Sequence, residues 1–345
     1  MRLALTMGDP RGIGAEIILK ALAHPSITPL LPCLTIFGDR QHLYRTYHQL
    51  QSKASAPLCD PQNLAIRQVG NYDLERQAGS ASFAYLEEAI AATLAGEFAG
   101  IITAPIAKAA WQCAGLSYPG QTELLAERSG VRDFAMMFVG RSPITGWQLR
   151  VLLATVHIPL SQVPQVLTPS LILQKLNLLT TTLKQDFGLP QGSIAVAGIN
   201  PHSGEGGLLG REEVDWLIPT LEAWQAEHHQ WQLHFPIPAD TLWIAPAQAW
   251  HSHQHRGHTA YLAMYHDQGL IPVKMLAFQQ AVNMTVGLPF VRTSPDHGTA
   301  FDIAGQGVAD ASSMQAAIAL AIELVAARQR HTGERRQLVG TADMA

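Results

Sequence analysis

LRVLLATV (residues 149–156) and IAVAGIN (residues 194–200) decide the fold. Each is a short apolar run without the alternation of apolar and polar positions that a strand with one wet face shows. Such runs are expected in strands covered on both faces, as in a parallel sheet flanked by helices. Working outward, LALTM (3–7), LTIFGD (34–39) and GIITAP (100–105) read as further strands. GAEIILKALAH (14–24), SFAYLEEAIAATLAG (82–96), EVDWLIPTLEAW (213–224) and SSMQAAIALAIELVAARQ (312–329) carry apolar residues at helical spacing. The alternation predicts an α/β fold with a substantially parallel sheet. APAQAWHSHQHRGH (245–258) reads as the most linker-like stretch.

The 345 residues suit a single two-lobed catalytic unit over 1–345, with no lobe boundary visible in composition. Apolar residues make up 47% and charged residues 14%, where about 25% charged is usual. A surface so thinly charged is expected to be partly covered, most simply by self-association. A net charge of −4 gives no electrostatic reason to expect nucleic acid. Cys33, Cys59 and Cys113 form no CxxC pair and no disulfide framework. No apolar run approaches the roughly 18 residues of a membrane span, and MRLALTMGDP lacks the pattern of a signal peptide. A reduced, cytoplasmic protein without a membrane partner is expected.

Histidines follow three strand-like runs: His157 in ATVHIPL, His202 in INPHSGEGG and His266 in MYHDQG. In parallel α/β sheets, ligands bind beyond the carboxyl ends of strands. Neutral imidazole is a common ligand of zinc and related divalent ions, and three protein ligands with an open position form the catalytic arrangement. The spacing matches no local zinc motif. The residues alone therefore leave two readings, strand-end histidines or a dispersed metal site. MYHDQG also sets Asp267 beside His266, with Gly269 expected to let the chain turn. HSHQHRGH (251–258) is richer in histidine but has no apolar frame, and is expected to be a solvated loop.

MGDPRGIGAE (7–16) reads as a turn into a helix, with Gly12 and Gly14 letting backbone N–H groups approach a ligand. PGQTELLAE (119–127) puts Thr122 where a helix would begin, which suits an anion or an ordinary N-cap. Lys274 sits among apolar neighbours, where an unpartnered lysine is costly to bury. Arg292 can grip a phosphate with two donors. SPDHGTAFDIAGQGVAD (294–310) fits close approach of backbone to a flat ligand. Asp302 there can accept hydrogen bonds from a ribose hydroxyl and would repel the extra phosphate of NADP.

Together, LTMGDPRGIGAEI, GIITAPIAK, GQTELLA, VHIPL, NPHSGEGG, PADT, MYHDQGLIPVKML and VNMTVGLPFVRTSPDHGTAFDIAG resemble the 4-hydroxythreonine-4-phosphate dehydrogenase family of vitamin B6 biosynthesis. The resemblance runs over nearly the whole chain. It implies a two-domain α/β fold like that of isocitrate and isopropylmalate dehydrogenases, with the active site in the interdomain cleft at the interface of a homodimer. It implies NAD-dependent, metal-dependent oxidation of 4-phosphohydroxy-L-threonine to 2-amino-3-oxo-4-phosphooxybutanoate. Loss of carbon dioxide then gives 3-amino-2-oxopropyl phosphate, on the way to pyridoxine 5'-phosphate.

By the same resemblance, the metal ligands fall on His157, His202 and His266, drawn from both subunits. Zinc is the first expectation, with magnesium or cobalt as alternatives. Substrate contacts fall on Gln121, Thr122, Lys274, Asn283 and Arg292. Cofactor contacts fall on His297, Gly298 and Asp302, which favours NAD, with NADP as the alternative. Asp240, Asp267 and Lys274 are candidate general bases that the sequence does not rank. Where the family has histidine before the threonine, this chain has Gln121, an uncharged donor. That opens a related phosphorylated hydroxy acid, such as threonate or erythronate 4-phosphate, as an alternative substrate. A metal-dependent phosphatase or phosphate-binding protein is the alternative from another class, and Asp302 in its loop argues against it. The stretch between PADT and MYHDQG looks longer than in the family and is expected to be an insertion without a catalytic role.

Overall fold

The computed structural model describes residues 1–342. The chain divides into two compact units, Met1–Arg132 with the chain from Leu288 onward, and Asp133–Gly287. The first stretch carries β1 (Leu3–Thr6), α1 (Gly14–Ala23), β2 (Leu34–Gly38), α2 (Arg40–Leu50), β3 (Ile66–Gln68), α3 (Ala78–Leu94), β4 (Gly100–Thr103), α4 (Lys108–Cys113) and α5 (Gln121–Arg128). The second unit carries β5 (Ala135–Arg141), β6 (Gln148–Leu153), α6 (Val163–Val166), α7 (Pro169–Gln185), β7 (Gly192–Ala197), α8 (Ile218–Glu227), β8 (Trp231–Ile237), α9 (Ala239–Leu242), α10 (Ile244–His251), β9 (Ala260–Ala263), α11 (His266–Ala277) and β10 (Val282–Val286). The chain then returns with β11 (Val291–Pro295) and α12 (Ser312–Ala342).

In the first unit the strands run β3-β2-β1-β4-β11, all parallel. In the second the order is β10-β5-β6-β9-β7-β8. There β5 pairs antiparallel with both β10 and β6, and β6, β9, β7 and β8 are parallel. The α/β reading with a mostly parallel sheet is therefore correct. Burial on both faces explains the unbroken apolar runs: every residue of β1, β2 and β9 is buried. The second unit's core gathers Phe138, Leu149, Val151, Trp250, Tyr261 and Val273.

The core of the first unit also holds an ion pair on α1. Lys20 Nζ lies 2.9 Å from Glu16 Oε1, both side chains buried. The ammonium also donates to Ser55 Oγ (2.9 Å), Gly307 O (2.8 Å) and Ala309 O (2.7 Å). Glu16 accepts from the Ala309 N–H (2.8 Å). One turn of α1 thus fastens the end of the 294–310 segment.

Several local readings need correction. The segment after MYH is the helix α11, and Gly269 lies in its first turn. A Cβ there would fall 2.5 Å from Leu153 Cδ2 and 3.0 Å from Ala263 Cβ, so the glycine lets the helix sit on β6 and β9. Gly12 and Gly14 lie in the turn into α1 as read, and both also pack closely on the chain: a Cβ would meet Thr299 O at 2.8 Å or Met7 O at 2.3 Å. The linker-like stretch holds α10, because Ala249 and Trp250 are buried. The helix expected from residue 82 starts at Ala78, where Gly79 packs on Ala110. The helix expected over 213–224 opens with a π-helical turn, Glu213–Leu217. Residues 253–256 are exposed as expected of a solvated loop. His258 is not: its ring packs on His234 with centroids 4.4 Å apart, and burial, then the His234 charge, lowers its pKa.

Replacing Lys20 with Met strands the Glu16 carboxylate in the core. Urea unfolding is expected to show a loss of about 3–5 kcal/mol, much of it recovered when Glu16→Leu is added.

Candidate active site

Four neighbouring parallel strands end level with one another and deliver four polar side chains. Leu153 of β6 is opposite Ala263 of β9, and Val196 of β7 is opposite Leu262. His157 follows β6, His266 follows β9, His202 follows β7 and Asp240 follows β8. The strand ends are tied beyond the sheet. Thr155 Oγ1 donates to Met264 O (2.8 Å). The buried Gln268 side chain accepts from Met264 N–H (2.6 Å) and donates to Gly198 O (2.8 Å), joining β9 to β7. Gln268 was not singled out in the sequence, where it reads as one more polar residue of MYHDQG.

His157 and His266 lie together, ring centroids 5.7 Å apart. His266 Nδ1 donates to Asp267 Oδ1 (2.7 Å), and His202 Nδ1 to Glu205 Oε1 (2.7 Å). A carboxylate on Nδ1 fixes the tautomer and leaves Nε2 to coordinate, the usual state of a metal-bound histidine. The donor chemistry therefore fits a divalent ion. Among the described residues, no three His, Cys, Asp or Glu side chains group closely enough to hold one within a single chain.

His202 sits on an unusual turn. His202, Ser203, Gly204, Glu205 and Gly206 all have φ between 42° and 78°. Left-handed backbone costs an L-residue about 1–2 kcal/mol, and three of these are not glycine. Such strain marks functional sites when the surroundings hold it. Here Ser203 N donates to Asn200 O (3.0 Å), Ser203 Oγ to Pro236 O (3.0 Å) and Leu209 N to Gly204 O (3.1 Å). Beneath it lies Glu213, fully buried, in helical register with the buried Leu217, Leu221 and Trp224. The glycine run of NPHSGEGG is the signal that could have flagged the turn.

In the first unit, Arg292 on β11 is fully buried and its Nη2 donates to Thr103 Oγ1 (2.8 Å) at the end of β4. Burial pulls its pKa down to about 10, against the Glu123 carboxylate that raises it. It remains a cation at neutral pH. Thr122 is not the cap of α5; Gly120 is, so the hydroxyl is not used there. Gln121 donates from Nε2 to Ala104 O (3.2 Å). Its Oε1 is buried without a partner among the described residues. Lys274 and Asn283 belong to the second unit, on α11 and β10.

His297, Gly298 and Asp302 lie in the loop before α12. Ile13 N donates to Thr299 O (3.0 Å), and Arg11 packs over the Phe301 ring at 5.6 Å. A Cβ at Gly298 would meet nothing within 4 Å. Asp302 is exposed. His297 Nε2 is a buried polar atom without a partner among the described residues. Open backbone and an unsatisfied ring nitrogen fit a polar ligand.

A family profile described as pyridoxal phosphate biosynthetic protein PdxA matches residues 31–321. A 4-hydroxythreonine-4-phosphate dehydrogenase of a Nostoc species is 58% identical over 340 residues, covering 95% of this chain and 94% of the relative. One of a Synechocystis species is 58% identical over 339 residues, 95% of this chain and 97% of the relative. The crystal structure of a 4-hydroxythreonine-4-phosphate dehydrogenase from Klebsiella pneumoniae superposes with a TM-score of 0.77 at 36% identity, over 94% of this chain and 99% of that one.

The Glu205 hydrogen bond, then its charge, raise the His202 pKa above the ordinary histidine value, and Asp240 adds to this. Because the folded value is raised, the pairing is complete below the ordinary value and is lost as pH rises through the shifted one. NMR titration of chelator-treated protein should place the His202 midpoint above 6.5. Glu205→Gln should move it back down, and an unmoved midpoint would remove Glu205 as the cause.

Proposed function

This chain belongs to the pyridoxal phosphate biosynthetic protein PdxA family, and we propose that it works as a 4-hydroxythreonine-4-phosphate dehydrogenase in vitamin B6 biosynthesis. The carrying observation is the arrival of His157, His266, His202 and Asp240 at the ends of adjacent parallel strands. The substrate is 4-phosphohydroxy-L-threonine. Its secondary alcohol is oxidised with NAD, and the resulting 3-oxo acid loses carbon dioxide to give 3-amino-2-oxopropyl phosphate. A divalent ion on His157, His202 and His266 would supply Lewis acidity toward a substrate oxygen, and NAD the acceptor for the hydride.

The residues divide the remaining work. Asp267 is committed to the His266 ring, so the hydroxyl proton goes to Asp240 or Lys274. Asp240 is the better placed, exposed and electrostatically coupled to His202. Arg292, a buried cation held by Thr103, binds the phosphate with Thr122. Lys274 and Asn283 are the substrate contacts proposed for the second unit. His297, Gly298 and Asp302 receive the cofactor, and the Asp302 carboxylate favours NAD over NADP. The unsatisfied Gln121 Oε1 suits a donor on the substrate. An ammonium or a hydroxyl would serve, so threonate and erythronate 4-phosphate are the competitors to compare.

The enzyme is proposed to act as a cytoplasmic homodimer. Ile271 and Met275 on α11 and Phe278, the C-cap residue that follows it, recur at helical spacing, 58%, 81% and 72% exposed. A second copy covering this stripe would be seated on the helix that begins with His266, consistent with a metal centre that takes ligands from two subunits. No helix among the described residues is long and apolar enough to cross a membrane.

The test follows NADH absorbance with purified protein, NAD, a divalent metal and 4-phosphohydroxy-L-threonine. A metal-dependent rise, abolished by chelator and by His202→Ala, is expected. No rise in protein that binds NAD and metal would discard the substrate. Arg292→Ala should raise KM for the phosphorylated substrate by roughly 10- to 150-fold, the loss of a charge-assisted contact. An unchanged KM would put the phosphate elsewhere.

A further inference from the structure

The turn that carries His202 is held from below by one side chain. Glu213 Oε1 accepts from the backbone N–H groups of Ile199 (2.8 Å) and Asn200 (2.7 Å). Glu213 Oε2 accepts from the Asn200 side-chain amide (2.9 Å), whose nitrogen also donates to Glu212 Oε2 (2.7 Å). Gly204, in the middle of the left-handed run, approaches the same carboxylate: a Cβ there would fall 2.9 Å from Oε2. One buried carboxylate therefore touches both the entry and the centre of the turn.

We propose that Glu213 is the positioning residue of the metal centre, holding the left-handed turn that presents His202 with Glu205 on its Nδ1. The inference rests on reading His202 as a metal ligand. Its physical basis is handedness. L-residues prefer right-handed or extended backbone, so without the clamp His202, Ser203 and Glu205 relax away from the observed arrangement. The imidazole and its carboxylate then move together. The loss appears in metal affinity, because the turn is exposed at His202 and Glu205 and the unit's core lies elsewhere.

Glu213→Gln keeps size and shape but turns one acceptor into a donor. That donor faces either two backbone N–H groups or the Asn200 amide. Flipping Asn200 would set its oxygen against the Glu212 carboxylate. The measurement is the zinc dissociation constant of chelator-stripped protein, by competition with a chromogenic chelator, on samples shown to be folded by circular dichroism. Glu213→Gln is expected to weaken zinc binding 10- to 100-fold. Combined with His202→Ala it should add nothing to the loss from His202→Ala alone, because both act through one imidazole. Asn200→Ala, which removes only the side-chain part of the clamp, should weaken binding less and in the same direction, and serves if Glu213→Gln does not fold. Folded Glu213→Gln or Asn200→Ala protein with wild-type affinity overturns the inference, as do losses that add in full. Zinc affinity unchanged by His202→Ala overturns the metal reading itself, a distinct result that takes the inference with it.

Discussion

The register of β6, β9, β7 and β8 is the constraint on which the rest depends. Parallel pairing forces all four chains to leave the sheet on the same side, and the observed register makes β6, β9 and β7 leave at nearly the same level. Each exit is then a place where a polar side chain meets polar side chains from distant sequence. A slip of one residue would turn every side chain of a strand to the opposite face. The apolar filling of both faces forbids that slip, so the core of the second unit also sets the geometry of its polar edge. Gln268 is where the two jobs meet. Its buried amide bridges Met264 and Gly198, fixing β9 against β7 after the sheet has ended.

Buried charge is used for placement in both units. Lys20 and Glu16 together engage Ser55, Gly307 and Ala309. Glu213 engages Ile199 and Asn200. In each case an ionised group satisfies backbone atoms of a segment that has no regular structure of its own. Charge-assisted hydrogen bonds are stronger than neutral ones, and removing one partner leaves the others stranded. That asymmetry makes such groups effective fasteners for loops, which otherwise lack the packing that fixes strands and helices.

The strands and helices were legible wherever both faces or one helical stripe are apolar, as in residues 149–156, 194–200 and 14–24. So were the histidines at the strand ends, since a polar residue after such a run marks the place where burial stops. What could not be read was any feature defined by a distant partner. Gly269 looked like a turn residue because the close approach of Leu153 and Ala263 is a fact about packing. Glu213 stands in helical register with Leu217, Leu221 and Trp224, but its role as a clamp has no signature in its own segment, because its partners are the backbone of Ile199 and the backbone and side chain of Asn200. Trp250 sat among residues of linker-like composition, and only the fold shows the core that it fills. Resemblance supplied a list of residues; it did not supply the reason His202 stands on strained backbone.

That strained turn has a stereochemical consequence. Five successive left-handed residues form a short piece of mirror-image helix, and ribosomal synthesis offers one achiral residue to build it. The chain uses glycine at 204 and 206. The chiral occupants are the exceptions, and each has a side-chain partner: His202 and Glu205 bond one another, and Ser203 bonds Pro236. The positions that decline glycine are thus the ones where a functional group is required. In a semisynthetic protein, D-serine at 203 would suit the backbone better than the natural residue does.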